Sequence, residues 1–201
     1  MNSLRVKVVR WSDVSRWCRR LAKSIRRSGY NADLIIAISR GGLVPSRILA
    51  DLLDIKVILS LKIDHWVETA EHTEHAVVRY DLCNDLRGKR ALVVDDITDT
   101  GESIDLAKRY TKERLNASDV KTATMQLLSS SKIKPDFYGV YVDQWAWFIY
   151  PWNYYEDTRN LLDKLKIDYR SLDYKRVEQL FIESYSIKPP VSIKKIIENE
   201  I

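Results

Sequence analysis

Apolar and polar positions along the chain fall into two recurring patterns. Over residues 13–28, Val14, Trp17, Cys18, Leu21, Ala22 and Ile25 recur at spacings of three and four, the period of a helix with one buried stripe. Ser12 is placed to cap that helix and Gly29 to stop it. Leu34-Ile35-Ile36-Ala37-Ile38 is an unbroken apolar run, as expected of a strand covered on both faces. Ser39-Arg40-Gly41-Gly42 follows it, then a helical pattern holding Ile48, Leu49, Leu52 and Leu53, then a strand over 55–61. Ala91-Leu92-Val93-Val94 is a second buried run, succeeded by a turn of Asp, Thr and Gly, a helix over 102–115 and a strand near 120–128. Strands alternating with helices predict an α/β fold with a central, mostly parallel sheet flanked by helices and right-handed crossovers.

Between and beyond these units the pattern weakens. Residues 62–76 are polar and weakly periodic, which predicts a long mobile loop, a candidate lid, leading to a strand near 76–80. Residues 137–155 hold ten aromatics, dense enough for a hood or a stacking platform. After Thr158 the pattern turns helical, breaks at Pro189-Pro190 and ends in a short helix near 192–199. The expected organisation is a domain over 1–158, with its hood at about 129–155, and a helical C-terminal extension over 159–201.

Composition narrows the class. A chain of 201 residues supports one sizeable core, and 45% apolar with 30% charged residues is ordinary for a globular protein. No apolar run approaches the ~20 residues of a membrane span and the N-terminus has no signal-like apolar core, so a cytoplasmic location is expected. Two cysteines, Cys18 and Cys83, are too few for a disulfide framework. The net charge of +5 suits a phosphorylated substrate or nucleic acid. Arg16, Arg19, Arg20, Lys23, Arg26 and Arg27 share one helix face, most simply a solvated one. Residues 1–30 are too few for a separate DNA-binding domain. His65, His72 and His75 fall in the polar segment and read as solvated, since no paired cysteines accompany them as zinc ligands.

The chemistry concentrates in Arg90 to Ser103. A strand that ends in Asp95 and Asp96 and opens through a Thr-Gly turn into a helix is a ligand site: ligands sit at the carboxyl ends of parallel strands, and a helix N-terminus offers free N–H groups to an anion. Thr98, Thr100 and Ser103 add hydroxyls, and Gly101 lets the backbone approach a phosphate. Asp95 and Asp96 repel phosphate but suit vicinal hydroxyls or hydrated Mg²⁺. A ribose 5-phosphate wants both.

This stretch resembles the 5-phosphoribosyl 1-pyrophosphate (PRPP) signature of type I phosphoribosyltransferases. Ser39-Arg40-Gly41-Gly42-Leu43-Val44-Pro45 resembles the pyrophosphate loop of the purine enzymes, nearest the bacterial xanthine-guanine branch. The resemblance spans roughly residues 32–158 and implies a pentosyltransferase of purine salvage. PRPP plus a purine base would give a nucleoside 5′-monophosphate, AMP or GMP, and pyrophosphate, with Mg²⁺ as cofactor and the polar segment closing as a lid. It assigns Ile97, Thr98, Asp99, Thr100, Gly101, Glu102 and Ser103 to the 5′-phosphate. Asp95 and Asp96 take the ribose and the Mg²⁺, partly through water. Ser39, Arg40, Gly41 and Gly42 take pyrophosphate, with a non-proline cis peptide near Arg40-Gly41. Asp99 would lie beside N7 of the purine as general base or stabilising carboxylate, although an Asx turn is the plainer reading of such a side chain. Trp147 would stack on the base, with Trp145 as rival, Phe148 would supply backbone contacts, and Ile97, Leu128 and Ser129 would complete the base pocket. A homo-oligomer, dimer or higher, is also implied.

The chain departs from this pattern at one informative place. Oxopurine enzymes carry a Lys at the end of the strand before the hood, facing O6 of the base; here that position is Leu128 or Ser129, with Lys132 the nearest cation. A missing donor opposite a buried carbonyl costs roughly 1–3 kcal/mol, which narrowly favours adenine over guanine or hypoxanthine. Ile149 replaces the carboxylate that the xanthine-guanine enzymes use, which disfavours xanthine. A PRPP-sensing regulator that binds nucleic acid through the basic helix is the alternative from another class.

Overall fold

The computed structural model describes residues 4–68 and 71–198, the side chains of 65–75 apart. In chain order it begins with β1 (Val6–Val8), α1 (Trp11–Arg27), β2 (Leu34–Ser39), α2 (Leu43–Leu53), β3 (Ile58–Glu68) and β4 (Glu71–Tyr80). It continues with β5 (Arg90–Thr98), α3 (Glu102–Glu113), β6 (Asp119–Leu128), β7 (Phe137–Val142) and β8 (Trp147–Ile149). The last part holds α4 (Tyr154–Lys164), a 3₁₀ turn over Tyr169–Ser171, α5 (Tyr174–Tyr185) and α6 (Ile193–Ile197).

These elements form two compact units. One comprises Ser12–Val67 and His72–Trp145; the other gathers Met1–Trp11, Glu68–Glu71 and Ala146–Ile201. The first is built on a six-stranded sheet of order β4-β3-β2-β5-β6-β7. Its pairs β2–β3, β2–β5, β5–β6 and β6–β7 are all parallel, with α2 crossing between β2 and β3 and α3 between β5 and β6. Period-two alternation splits the strand residues between two cores. Ile36, Ile38 and Val93 pack with Ile104 and Ala107 of α3, whereas Ile35, Leu92 and Val94 pack with Leu21 and Ile25 of α1 and Leu49 of α2. Ile35, Ile36, Leu92 and Val93 are wholly buried, and each such side chain contributes about 1.5–3 kcal/mol. Cys18 is buried on the α1 stripe, which pushes its thiol up to about 12.

The polar segment departs from expectation. Strands β3 and β4 occupy 62–68 and 71–76 of the segment expected to be a mobile loop. Leu61 and Ile63 alternate into the core beside Ala76 and Val78. Between them Asp64 takes Lys62 at 2.7 Å and Arg79 at 2.6 Å. Where the side chains are described, Lys62, Asp64 and Arg79 thus form ion pairs opposite the apolar positions, and this polarity mimics a loop. His65, His72 and His75 lie outside the described side chains.

In the second unit β1 pairs in parallel with β8, Val6 opposite Trp147 and Val8 opposite Ile149. Val6 and Ile149 share a core with Leu161, Leu162, Val177, Phe181, Ile193 and Ile196. The C-terminal helices therefore pack on the first and last strands of the chain.

Candidate active site

β2 and β5 are parallel neighbours with Ala37 opposite Val94, so two residues on, Ser39 and Asp96 come level at the carboxyl edge. The loops that leave both strands thus start side by side, as a shared ligand requires. The cis peptide is Ser39-Arg40, one bond earlier than the expected Arg40-Gly41, at the last residue of β2. Ser39 does not turn its hydroxyl to the loop: it donates to the Leu61 carbonyl at 3.2 Å and accepts from Ser60 Oγ at 2.8 Å. Gly41 lies against Asp96 so closely that a Cβ would strike the carboxylate group. Gly42 meets the Val94 carbonyl in the same way and caps α2. Glycine is what lets this loop lie on the acidic strand end.

Asp95 and Asp96 are each only 9% exposed. Alternation sends their side chains to opposite faces of β5, and the Asp96 N–H donates to Asp95 Oδ1 at 2.9 Å. Burial pushes both carboxyls up, Asp96 to about 6; for Asp95 the neighbouring Asp96 charge adds to the effect. Hidden acids of this kind favour a ligand that supplies hydroxyls or positive charge. Among the described residues no group of three or more His, Cys, Asp and Glu side chains converges on a metal-sized site. One or two carboxylates completed by water and ligand oxygens is, however, the way Mg²⁺ is ordinarily held, and Asp95 with Asp96 fit that donor set.

β5 extends through Thr98, farther than the apolar run alone indicated. Thr98 is consequently buried, and its hydroxyl donates to Thr124 Oγ1 on β6 at 3.2 Å. It belongs to the sheet and is not available to a phosphate, because the strand turns it inward. Ile97, the residue before it, is half-buried. The anion-suited turn is Asp99-Thr100-Gly101, with α3 starting at Glu102. Thr100 Oγ1 accepts from the Glu102 N–H at 3.3 Å, and Ser103 stands in the first turn, half-exposed. Gly101 has φ +92°, and a Cβ there would strike Ile133.

The segment after β6 braces this turn. The Lys132 N–H donates to the Thr100 carbonyl at 3.3 Å. Ser130 Oγ donates to Asp99 Oδ1 at 3.1 Å, and Trp145 Nε1 donates to Asp99 Oδ2 at 3.0 Å. Asp99 is therefore held from outside its own turn, and Trp145, the rival stacking residue, serves it as a donor. Leu128 ends β6 buried at 2% exposure. Ser129 is tied to the end of β7, its N–H on the Val142 carbonyl at 2.9 Å and its hydroxyl on the Asp143 carbonyl at 2.6 Å. Sequence reasoning missed Ser130, although three consecutive serines after a buried strand were a usable signal.

Trp147 and Phe148 stand on β8 in the second unit. Trp147 lies partly against its core, and its Nε1 donates to Asp157 Oδ1 at 3.0 Å. Phe148 faces the other way, with the Lys7 ammonium 5.8 Å from its ring centre. Tyr150 stacks on Trp152 at 4.8 Å, and Trp11 meets Trp152 at 6.0 Å. Much of the aromatic density is thus packing within that unit. Asp157, the partner of Trp147, carried no sequence signal.

A parallel sheet whose adjacent strand ends carry a glycine pyrophosphate-type loop, a buried acidic pair and a Thr-Gly anion turn defines the type I phosphoribosyltransferase class. The description "Phosphoribosyl transferase domain" matches residues 8–157, and the chain belongs to that family. It is 30% identical over 146 residues to the xanthine-guanine phosphoribosyltransferase of Idiomarina loihiensis, covering 72% of this chain and 85% of the relative. The crystal structure of a purine phosphoribosyltransferase from Pyrococcus horikoshii superposes with a TM-score of 0.62 at 28% identity, covering 73% of this chain and 93% of that one. A Neisseria gonorrhoeae protein solved with bound ppGpp gives 0.65 at 26% identity, covering 80% and 96%. None of these relatives carries adenine in its name. No described helix is long and apolar enough to cross a membrane.

Proposed function

We propose that this phosphoribosyltransferase serves purine salvage, joining C1 of the PRPP ribose to N9 of a purine base and releasing pyrophosphate. One observation carries the reading: Gly41 of the first loop lies directly on the Asp96 carboxylate, so that the loop, the acids and the turn at 99–103 address one ligand with anions at two places. Arg40, Gly41 and Gly42 take the pyrophosphate, Thr100, Gly101, Glu102 and Ser103 take the 5′-phosphate, and Asp95 and Asp96 take the ribose hydroxyls. When bound there, Mg²⁺ supplies positive charge against the pyrophosphate as it leaves. The C1–O bond breaks with its electron pair going to pyrophosphate, and the base nitrogen forms the new bond. The proton released by the base is received in the neighbourhood of Asp99.

Guanine or hypoxanthine is the base this reading favours, in keeping with relatives named for xanthine and guanine. Adenine is the second reading, supported only by the resemblance, which aligns Leu128 or Ser129, neither of them a cation, with the lysine of oxopurine enzymes. The test is turnover of radiolabelled adenine, guanine, hypoxanthine, xanthine and uracil with PRPP and Mg²⁺. Guanine or hypoxanthine well ahead supports the first reading, and adenine ahead supports the second. Uracil as the best substrate, or silence with every base alongside salt-sensitive retention of nucleic acid, would overturn the proposal.

A further inference from the structure

We infer that Trp145 and Ser130 are positioning residues that aim the Asp99 carboxylate at the bound base. This rests on the assignment of Asp99 to the base made above. Asp99 sits in a three-residue turn rich in N–H groups, where a free carboxylate would fold back as an Asx turn. Its two oxygens are held instead by side chains from two other connections, Ser130 after β6 at 3.1 Å and Trp145 after β7 at 3.0 Å. Those connections are bolted to each other through Ser129, which donates to the Val142 and Asp143 carbonyls. A third tie, from the Lys132 N–H to the Thr100 carbonyl, anchors the same segment to the turn that carries Asp99. The carboxylate is thus fixed at both oxygens by a braced frame.

The chemistry of the donors matters as much as their placement. An indole N–H and a hydroxyl are neutral, so they orient the carboxylate without cancelling its charge, which a lysine or arginine would do. Each carboxylate oxygen has a second acceptor site, leaving Asp99 able to receive a proton from the imidazole side of a purine. Misalignment of a group that acts as the proton moves lowers kcat and leaves ground-state binding nearly untouched.

The experiment is steady-state kinetics of the full chain with PRPP, Mg²⁺ and the base that turns over fastest. The variants are Trp145→Phe, Trp145→His, Ser130→Ala, Asp99→Asn and the double variant Trp145→Phe/Asp99→Asn. Trp145→Phe is expected to lower kcat about 10-fold with KM for PRPP within about twofold, and Ser130→Ala to lower it about threefold or more. Trp145→His, which keeps a ring N–H, should recover most of the loss. In the Asp99→Asn background Trp145→Phe should cost nothing further, the non-additivity expected of one working unit. Wild-type kcat in both Trp145→Phe and Ser130→Ala, or an equal loss from Trp145→Phe whether or not Asp99 is present, would overturn the inference. If Trp145→Phe unfolds, Ser130→Ala with its own Asp99→Asn cycle gives the same answer. Wild-type kcat in Asp99→Asn would remove the Asp99 assignment itself, a failure distinct from that of its partners.

Discussion

Asp96 is buried in the site against its charged form. Its carboxyl is pushed up to about 6 by burial, so the folded state prefers it protonated. Its contribution to stability is present below the unfolded value near 3.8 and is lost as pH rises through about 6. At pH 7.5 the metal-free protein holds a buried charge at a cost of about 1–3 kcal/mol. Asp96→Asn should therefore raise the melting temperature at pH 7.5 by about 2–8 °C, with the gain shrinking to nothing by pH 4, and should abolish turnover. Calorimetry of both proteins across that range measures it; equal melting temperatures at pH 7.5 would refute this cost. Gly41 makes a sharper point. Gly41→Ala puts a methyl group on the Asp96 carboxylate, and we expect a fall of about 100-fold in kcat/KM for PRPP with a nearly unchanged circular dichroism spectrum.

Among the elements, the β6–β7 pair holds the frame behind the site through its parallel ladder, and one side chain ties its start. Asp136, just before β7, accepts from the Thr122 N–H at 2.9 Å, from Thr122 Oγ1 at 2.9 Å and from Lys121 at 3.1 Å, and it pairs with Lys108 at 3.2 Å. Burial pushes its carboxyl up, but the donors from Thr122, Lys121 and Lys108 outweigh it and leave it below the usual carboxylate range. A lowered carboxyl adds stability above the unfolded value, and that stability is lost as pH falls through the folded one. Asp136→Ala should cost about 2–4 kcal/mol in urea unfolding between pH 5 and 8, and the gap to wild type should narrow below pH 4. A constant gap down to pH 2 would show that packing, not ionisation, sets the loss. The same element level explains why the start of the 62–76 stretch reads as a loop: Lys62 and Asp64, the latter paired also with Arg79, alternate with the apolar Leu61 and Ile63, and charges on one side of a period-two pattern read as plain polarity.

On the scale of the molecule, the chain closes its second unit by bringing β1, at one end of the sequence, to β8 and the C-terminal helices. Phe181 is wholly buried there, with Tyr185 edge-on at 5.0 Å. Phe181→Ala should cost about 3–5 kcal/mol, and limited proteolysis should then cut first within 146–198 while the sheet unit stays protected. Early cleavage within 12–64 would contradict that division. The helical C-terminal segment was legible as helix, but its place in a core with Val6 and Ile149 was not. Nothing in a local window tells which distant strand a helix covers.

Order along the chain determined the parallel sheet, because apolar runs separated by helical periods permit little else, and it determined the two anion-suited loops, because glycines, acids and hydroxyls at those spacings have few other uses. Tertiary structure alone decided that Thr98 turns into the sheet, that Ser39 bonds β3, and that Ser130 and Trp145 hold Asp99 across 31 and 46 residues of sequence. Backbone patterning is a local property repeated every two or 3.6 residues, whereas a hydroxyl or an indole N–H finds its partner only after strands from distant parts of the chain have come into register.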